Sequence, residues 1–135
     1  MKELTVRATV GNIPQVTAFI DELLEDAGCS VKAKIQIDVA IDELFGNIAH
    51  YAYPGGAGDA AVRVSLDAAA RKVTITFIES GVPFNPLAQD EPDITLPAEK
   101  RAVGGLGIYL VRKTMDRVDY QRRDGMNILT ITKTI

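Results

Sequence analysis

Three side chains on one predicted helix have the types and the spacing of a chemical site. Glu43, Asn47 and His50 occupy positions i, i+4 and i+7, so they lie about one turn apart on one side of the helix. A carboxylate can accept a proton from an attacking hydroxyl group, and a carboxamide oxygen is a suitable ligand for Mg²⁺. Gly46 leaves room for a ligand to approach the backbone. The alternative is that Glu43 and Asn47 are solvated and that His50 is a hydrogen-bonded boundary residue.

A second candidate site is the turn at residues 79–83 (ESGVP), which directly follows a predicted strand. The carboxylate of Glu79 can accept a hydrogen bond from an exocyclic amine, and Gly81 permits the close approach of a flat base. The alternative is an ordinary turn that ends the strand.

A third candidate site is the glycine-rich run at residues 104–107 (GGLG), which opens a predicted helix. Such a turn can present free N–H groups and the positive end of the helix dipole to a phosphate. The alternative is simple loop chemistry at a helix start. The run matches neither G-x-x-x-x-G-K-[ST] nor G-x-G-x-x-G, so both common nucleotide patterns are absent from it.

The helix that carries Glu43 is predicted to run from Val31 to residue 53, where Pro54 and two glycines interrupt it. Ser30 is its predicted N-cap. Its other side is an apolar stripe for the core, formed by Ile37, Ile41, Leu44, Ile48 and Tyr51.

The remaining elements are predicted from periodicity and turn residues. Strands are expected at residues 4–10, 61–66, 72–78, 117–122 and 127–133, and helices at 12–27 and 108–115. Asn12 is the predicted N-cap of the first helix, and Asp124-Gly125 predicts a hairpin between the last two strands. The polar, proline-containing segment that follows Pro86 and runs to about Val103 predicts a functional lid or a disordered insert.

This order of elements predicts an α+β two-layer sandwich. A mixed, mostly antiparallel sheet would be covered on one face by about three helices. With 135 residues, the chain is expected to form a single domain, residues 1–135.

Composition excludes several classes of protein. The net charge of −3 argues against nucleic-acid binding, and the basic cluster at residues 117–123 is balanced by Asp116, Asp119 and Asp124. The chain has neither an apolar run of the ~20 residues that span a bilayer nor a signal-peptide pattern at its start, so we expect a cytoplasmic location. A single cysteine, Cys29, excludes an internal disulfide, and with one histidine it cannot build a zinc site from soft ligands.

Taken together, the three candidate sites occur in the order of a known motif series. It resembles that of the histidine-kinase-like ATP-binding fold, which also includes gyrase-type and chaperone ATPases. Within that superfamily the chain is similar to the bacterial anti-sigma-factor serine/threonine kinases. The strings that carry this likeness are residues 41–53 (IDELFGNIAHYAY), 81–86 (GVPFNP) and 104–111 (GGLGIYLV).

The resemblance implies an ATP pocket between the helices and the sheet. In it, Glu43 would be the general base, Asn47 the Mg²⁺ ligand, and Glu79 with Gly81 the adenine-pocket turn. A lid at about Phe84 to Val103 would close the pocket.

The resemblance also implies a phosphate site. Gly105, Leu106 and Gly107 would hold the phosphates, and Lys100 or Arg101, late in the lid, would supply positive charge.

Partners follow from the same resemblance. The family transfers the γ-phosphoryl group of ATP to a serine or threonine of a small STAS-type anti-sigma-factor antagonist, and a sigma factor is a second expected partner. A homodimer is also expected, with no direct nucleic-acid contact and no membrane contact.

One residue departs from the family pattern. The adenine-pocket turn normally begins with Asp, whereas this chain has Glu79. The added methylene moves the carboxylate by ~1.5 Å, the length of one C–C bond, which predicts weaker ATP binding or an altered base preference. This departure keeps open an alternative function, a module that binds nucleotide and a protein partner without phosphoryl transfer. A stand-alone ATPase fits less well, because no second domain is predicted to use the hydrolysis.

Overall fold

The computed structural model of the protein describes residues 1–88 and 105–135. Its strands are β1 (Lys2–Arg7), β2 (Asp59–Asp67), β3 (Lys72–Glu79), β4 (Arg117–Arg123) and β5 (Met126–Thr134). Its helices are α1 (Ile13–Asp26), α2 (Val31–Tyr51) and α3 (Gly105–Thr114), with short 3-10 turns at Val10–Asn12 and Pro86–Ala88. The described elements therefore follow the predicted order.

The five strands form one sheet in the order β1-β2-β3-β5-β4, and every neighbouring pair is antiparallel. Asp124 and Gly125 both have positive φ angles, of 53° and 77°, in the predicted hairpin turn between β4 and β5. The predicted α+β class is confirmed. No parallel pair occurs among the strands of the described ranges, so the mixed character left open by the sequence is absent there.

One face of the sheet packs against the helices and forms the core. Alternate residues of the central strands point into it, because side chains along a strand alternate between the two faces. The largest side chains that are completely buried come from α1, α2, β3 and β5, namely Ile20, Leu24, Ile37, Ile41, Leu44, Phe45, Ile75, Phe77 and Ile131. The opposite face carries half-buried threonines, among them Thr74, Thr76 and Thr130.

The ends of α1 and α2 are set by local chemistry. Gly28 has a φ of 71°, a conformation that favours glycine and ends α1 as predicted. The Oγ of Ser30 accepts a hydrogen bond from the backbone N–H of Ala33 at 3.2 Å, which confirms Ser30 as the N-cap of α2. Asn12 precedes α1, but its side chain donates to the carbonyl of Arg7 at 2.9 Å and does not cap the helix.

Three expectations about element boundaries are wrong. β1 ends at Arg7, because the next residues turn into a 3-10 helix. Helix α3 begins at Gly105 and not at residue 108, so Gly105 and Gly107 lie in its first turn. Tyr51 is 52% exposed and does not join the core stripe. Its ring instead lies 5.2 Å from the ring of Phe84.

Within residues 1–88 and 105–135, none of the helices combines the length and the apolar character that crossing a bilayer requires.

Candidate functional site

A cavity lies between α2 and the sheet, where about 290 Å³ is free of protein atoms, part of it open to solvent. Its apolar walls are formed by Leu44, Ile48, Phe77, Phe84, Pro86 and Leu129. Four polar side chains also line it, namely Asn47, Glu79, Tyr120 and Asn127. Apolar walls with a few convergent polar groups are typical of small-molecule sites. The structure therefore brings two predicted site residues, Asn47 and Glu79, into one cavity.

Asn47 projects into this cavity from α2. Among the described residues, its carboxamide has no hydrogen-bond partner, so its oxygen is available to a ligand. No group of three or more His, Cys, Asp or Glu side chains that could hold a metal ion occurs in the described part of the chain. This donor set fits Mg²⁺ bound through one protein oxygen, with waters and phosphates completing the shell, rather than a site built from protein ligands alone.

Glu43 lies one turn before Asn47 and contacts the start of α3. A Cβ placed on Gly107 would collide with the carboxylate of Glu43, so a larger residue there would displace this carboxylate from its present position. Gly107 is the third residue of α3, where the backbone N–H groups have no intrahelical acceptor. The contact therefore places a carboxylate beside the positive end of a helix dipole.

The turn after β3 packs against the C-terminal end of α2. A Cβ on Gly81 would collide with the backbone of Ala52, and the N–H of Val82 donates to the carbonyl of Ala52 at 2.8 Å. The hydroxyl of Tyr53 accepts from the N–H of Ser80 at 3.0 Å and donates to the carbonyl of Asp59 at 2.7 Å. Residues that follow α2 therefore fix the position of the predicted adenine-pocket turn.

Glu79 is only 6% exposed, and one of its carboxylate oxygens is held within the protein. Its Oε1 accepts from the backbone N–H of Gly81 at 2.8 Å and from the Nδ2 of Asn127 at 2.9 Å. Among the described residues, no donor lies within hydrogen-bond distance of Oε2. Because Glu79 lines the cavity, Oε2 is the oxygen that remains for a bound ligand.

Asn127 is 4% exposed and connects Glu79 to β4. Its Oδ1 accepts from the hydroxyl of Tyr120 at 2.5 Å and from Arg122 at 3.2 Å. Arg122 also donates to the carbonyl of Gly81 at 2.8 Å. The adenine-pocket turn is thus held from two sides, by the end of α2 and by the last two strands.

A pair of half-buried acidic residues, Asp21 and Asp38, lies between α1 and α2. The Oδ1 atoms of Asp21 and Asp38 are both buried, and neither has a hydrogen-bond partner among the described residues. Burial, a hydrogen bond with Asp21 and the charge of Asp21 raise the pKa of Asp38 to about 7, while Lys34 opposes the rise. Lys34 lies 3.6 Å from Asp21 and 3.8 Å from Glu25. Neither aspartate lines the cavity that holds Asn47.

Several other candidate residues have different positions. His50 is exposed, and in the described structure it has no hydrogen-bond partner; its ring lies 6.1 Å from that of Tyr51. Leu106 is 38% exposed in the first turn of α3, and Gly105 begins that helix. Lys100 and Arg101 lie outside the described residues, as does most of the predicted lid.

Comparison with known protein families decides the family. The model of the family described as "Histidine kinase-like ATPase domain" matches residues 6–133, almost the whole chain. The chain belongs to the histidine kinase-like ATPase family. The predicted resemblance to this fold is therefore confirmed.

Curated relatives of this histidine kinase-like ATPase carry kinase names. The chain is 28% identical over 130 residues to the serine/threonine-protein kinase BtrW of Bordetella bronchiseptica, covering 96% of this chain and 89% of that protein. It is 29% identical over 134 residues to the serine-protein kinase RsbW of Bacillus cereus, covering 96% and 76%. These names support the predicted serine/threonine kinase class. A solved structure, the Acinetobacter baumannii histidine kinase AdeS, matches 99% of this chain and 68% of its own at 11% identity, with a TM-score of 0.49.

Sequence reasoning missed Asn127, Tyr120 and Arg122 in this histidine kinase-like ATPase. A signal for Asn127 was present, because it shares the inward face of β5 with Leu129 and Ile131 and a lone amide on an apolar face needs partners. Arg122 was grouped with surface charges balanced by aspartates. That grouping holds for Arg117, which pairs with Asp119, but not for Arg122.

Proposed function

We propose that this protein is an ATP-dependent serine/threonine protein kinase that acts as an anti-sigma factor, with residues 1–135 forming one domain. It phosphorylates a small STAS-type anti-sigma-factor antagonist. The support is membership of the histidine kinase-like ATPase family, the kinase names of the relatives, the position of Asn47 and Glu79 in one cavity, and the contact of Glu43 with Gly107.

The contact between Glu43 and Gly107 carries the proposal. The start of α3 offers free N–H groups to the terminal phosphates, and Glu43 is the carboxylate that touches it. A proton acceptor is thereby placed next to the phosphate-binding turn, where the hydroxyl of a partner serine or threonine would arrive. Catalysis rests mainly on positioning and on charge neutralisation at the phosphates.

The transfer step is a displacement at the γ-phosphorus. The partner's hydroxyl oxygen forms a bond to the γ-phosphorus while Glu43 accepts the hydroxyl proton. The bond from the γ-phosphorus to the β–γ bridging oxygen breaks, and that oxygen leaves with ADP. Mg²⁺ bound through Asn47 and the phosphates would neutralise charge on the phosphate oxygens.

The base occupies the cavity between α2 and the sheet. Leu44, Ile48 and Phe77 supply apolar contact area for a flat ring. Glu79 accepts a hydrogen bond from the exocyclic amine of adenine, and Gly81 keeps the turn close to Ala52. Lys100 or Arg101 supplies positive charge to the phosphates when the lid closes.

The partners belong to the same proposal. A sigma factor is bound when the antagonist is phosphorylated, the active form is a homodimer, and the protein works in the cytoplasm without contact to nucleic acid or membrane. Reading frames adjacent to the gene test the partner choice, because an antagonist or sigma-factor gene beside it would name the partner.

Phosphoryl transfer from radiolabelled ATP to the antagonist tests the proposed activity. Glu43→Gln should lower the transfer rate about 100-fold or more, because general-base catalysis contributes about 10²–10⁴-fold. ATP affinity of the variant, measured by calorimetry, should stay within a few-fold of wild type. Asp42→Asn is the matched control, because Asp42 is an exposed carboxylate one position away on α2.

Two outcomes would change the proposal. Transfer that survives Glu43→Gln at the wild-type rate would exclude Glu43 as the base. ATP binding without any transfer by the wild-type protein would instead favour a nucleotide-dependent binding module.

A further inference from the structure

The amide of Asn127 is a buried polar group with every donor and acceptor in use. Its Nδ2 donates to the Oε1 of Glu79 at 2.9 Å and to the carbonyl of Val82 at 2.8 Å. Its Oδ1 accepts from Tyr120 and Arg122, and more weakly from the N–H of Phe84 at 3.4 Å. Within the described ranges, Asn127 and Glu79 are the two polar side chains that are buried.

The orientation of this amide follows from the chemistry of its neighbours. A carboxylate and a carbonyl can only accept, so the NH₂ group must face Glu79 and Val82. A guanidinium and a backbone N–H can only donate, so the oxygen must face Arg122 and Phe84. A flipped amide would leave all four contacts mismatched. Asn127 is therefore locked in one orientation.

The fixed orientation of Asn127 also constrains the long side chain of Glu79. Glu79 and Asn127 are directly paired across β3 and β5, so their side chains emerge on the same face of the sheet. Asn127 and the N–H of Gly81 together occupy Oε1. The carboxylate therefore cannot rotate freely, and Oε2 is its acceptor without a donor of its own in the described structure.

We infer that Asn127 is a positioning residue that sets the base preference of this site by holding Glu79. This inference rests on the proposed function, because it assumes that the cavity takes the base of ATP. With Oε1 fixed, the site accepts a hydrogen bond from a base that carries an exocyclic amine at that position. A base with a carbonyl there, such as guanine, meets a carboxylate oxygen and is rejected. Asn127 does not itself touch the amine.

Base discrimination is the quantity that tests this role. The probes are ATP, GTP and purine riboside triphosphate, which lacks the amino group of adenine, and the measurement is the dissociation constant of each by calorimetry. Wild type should bind ATP about 10- to 100-fold more tightly than either other nucleotide, as a hydrogen bond to a charged acceptor provides. Asn127→Asp keeps the size of the side chain but replaces the NH₂ group that donates to Glu79 with a carboxyl oxygen. In this variant the discrimination ratio, which is the dissociation constant of either other nucleotide divided by that of ATP, should fall at least about fivefold. The affinity for purine riboside triphosphate should stay nearly unchanged.

The matched control is Thr130→Val, on the same strand but on the opposite face of the sheet, where Thr130 lies 3.5 Å from Thr76. Its discrimination ratio should equal that of wild type. A structural role alone would lower the binding of all three nucleotides together in Asn127→Asp and would leave the ratio unchanged.

Failure of the two proposals gives different results. Wild-type protein that binds none of the three nucleotides would refute the proposed function. Wild-type protein that discriminates, together with a folded Asn127→Asp that discriminates equally well, would overturn the role of Asn127. If Asn127→Asp does not fold, Tyr120→Phe decides, because it removes one hydrogen bond to Oδ1 and leaves Asn127 in place. It should lower the ratio about threefold, and an unchanged ratio would overturn the inference.

Discussion

Glu79 and Asp38 are both carboxylates beside a buried polar partner, yet their surroundings differ in kind. Glu79 shares one oxygen with a neutral amide, Asn127, and with a backbone N–H. Asp38 faces a second carboxylate, Asp21, and each contributes a buried oxygen without a hydrogen-bond partner in the described ranges. Burial, the largest cause, and the neighbouring Asp21 together raise the pKa of Asp38 to about 7.

The difference shows that burial and the chemistry of the partner act together on a carboxylate. Burial disfavours the charged form, a like charge nearby adds to that effect, and a hydrogen-bond donor opposes it. The Glu79 pair holds one carboxylate oxygen in a fixed position. The Asp38 pair makes the packing of α1 on α2 sensitive to pH.

The largest expected effect comes from replacing Asn127, the neutral partner of Glu79. Asn127→Leu should lower the free energy of unfolding by about 2–4 kcal/mol, because it leaves Oε1 of Glu79, Arg122 and the carbonyl of Val82 short of a buried partner. Urea denaturation followed by circular dichroism measures this. Thr132→Val is the control, because Thr132 lies on the other face of β5. A cost no greater than that of the control would show that the network does not stabilise the fold.

An intermediate effect is expected from neutralising the acidic pair. Asp38 binds its proton in the folded state up to about pH 7 and in the unfolded state only up to an ordinary carboxyl pKa. The folded protein therefore binds more protons between those values, and its stability should fall as the pH rises from 5 to 8. Asp38→Asn should remove this dependence and stabilise the protein at pH 8 by about 1–2 kcal/mol, after allowance for solvent screening.

The measurement is the free energy of unfolding at pH 5 and pH 8 in the same buffer system. Lys34, Glu25 and Cys29 also face this region and are unchanged in the variant. Asp42→Asn, on the exposed side of α2, should leave the pH dependence intact. Parallel pH profiles for wild type and Asp38→Asn would contradict the assignment.

The smallest effect is expected from shortening Glu79. The sequence alone predicts that Glu79 weakens ATP binding relative to Glu79→Asp. The bond to Asn127 changes the expected sign, because an aspartate is too short by ~1.5 Å to reach both Nδ2 and the N–H of Gly81. Glu79→Asp should therefore bind ATP about threefold more weakly, as one shared hydrogen bond is lost. Calorimetry with ATP, ADP and GTP checks this, and tighter ATP binding by the variant would support the prediction from sequence.

Much of the fold follows from local sequence signals. Periodicity, the Ser30 cap, Gly28 and Asp124-Gly125 are all local, and each lies where it was predicted. The exceptions have tertiary causes. The sequence predicts a helix from residue 108, whereas α3 begins at Gly105, and the carboxylate of Glu43 lies against Gly107 in its first turn. Tyr51 continues the helical period beyond the end of the core.

In the candidate site too, residues with local sequence signals were predicted, and a residue that depends on tertiary contacts was not. Glu43, Asn47, Glu79 and Gly81 were found from residue type and spacing, and the described structure places them around one cavity and its adjoining turns. Asn127 could not be assigned a role, because its partner Glu79 lies 48 residues away along the chain. A cross-strand partner depends on the order of strands in the sheet, and local patterns do not contain that order.

The junction of α2 with the turn at Gly81 has a consequence for the length of the ligand. Asn47 and the Ala52 backbone that holds Gly81 lie five positions apart along the chain at the end of α2, about 7.5 Å along the axis of a helix. In the proposed site, one rigid helix therefore sets the spacing between the phosphate end and the base end. A displacement of α2 would move Asn47 and the turn at Gly81 together, so the distance between the two ends of the proposed site would stay the same.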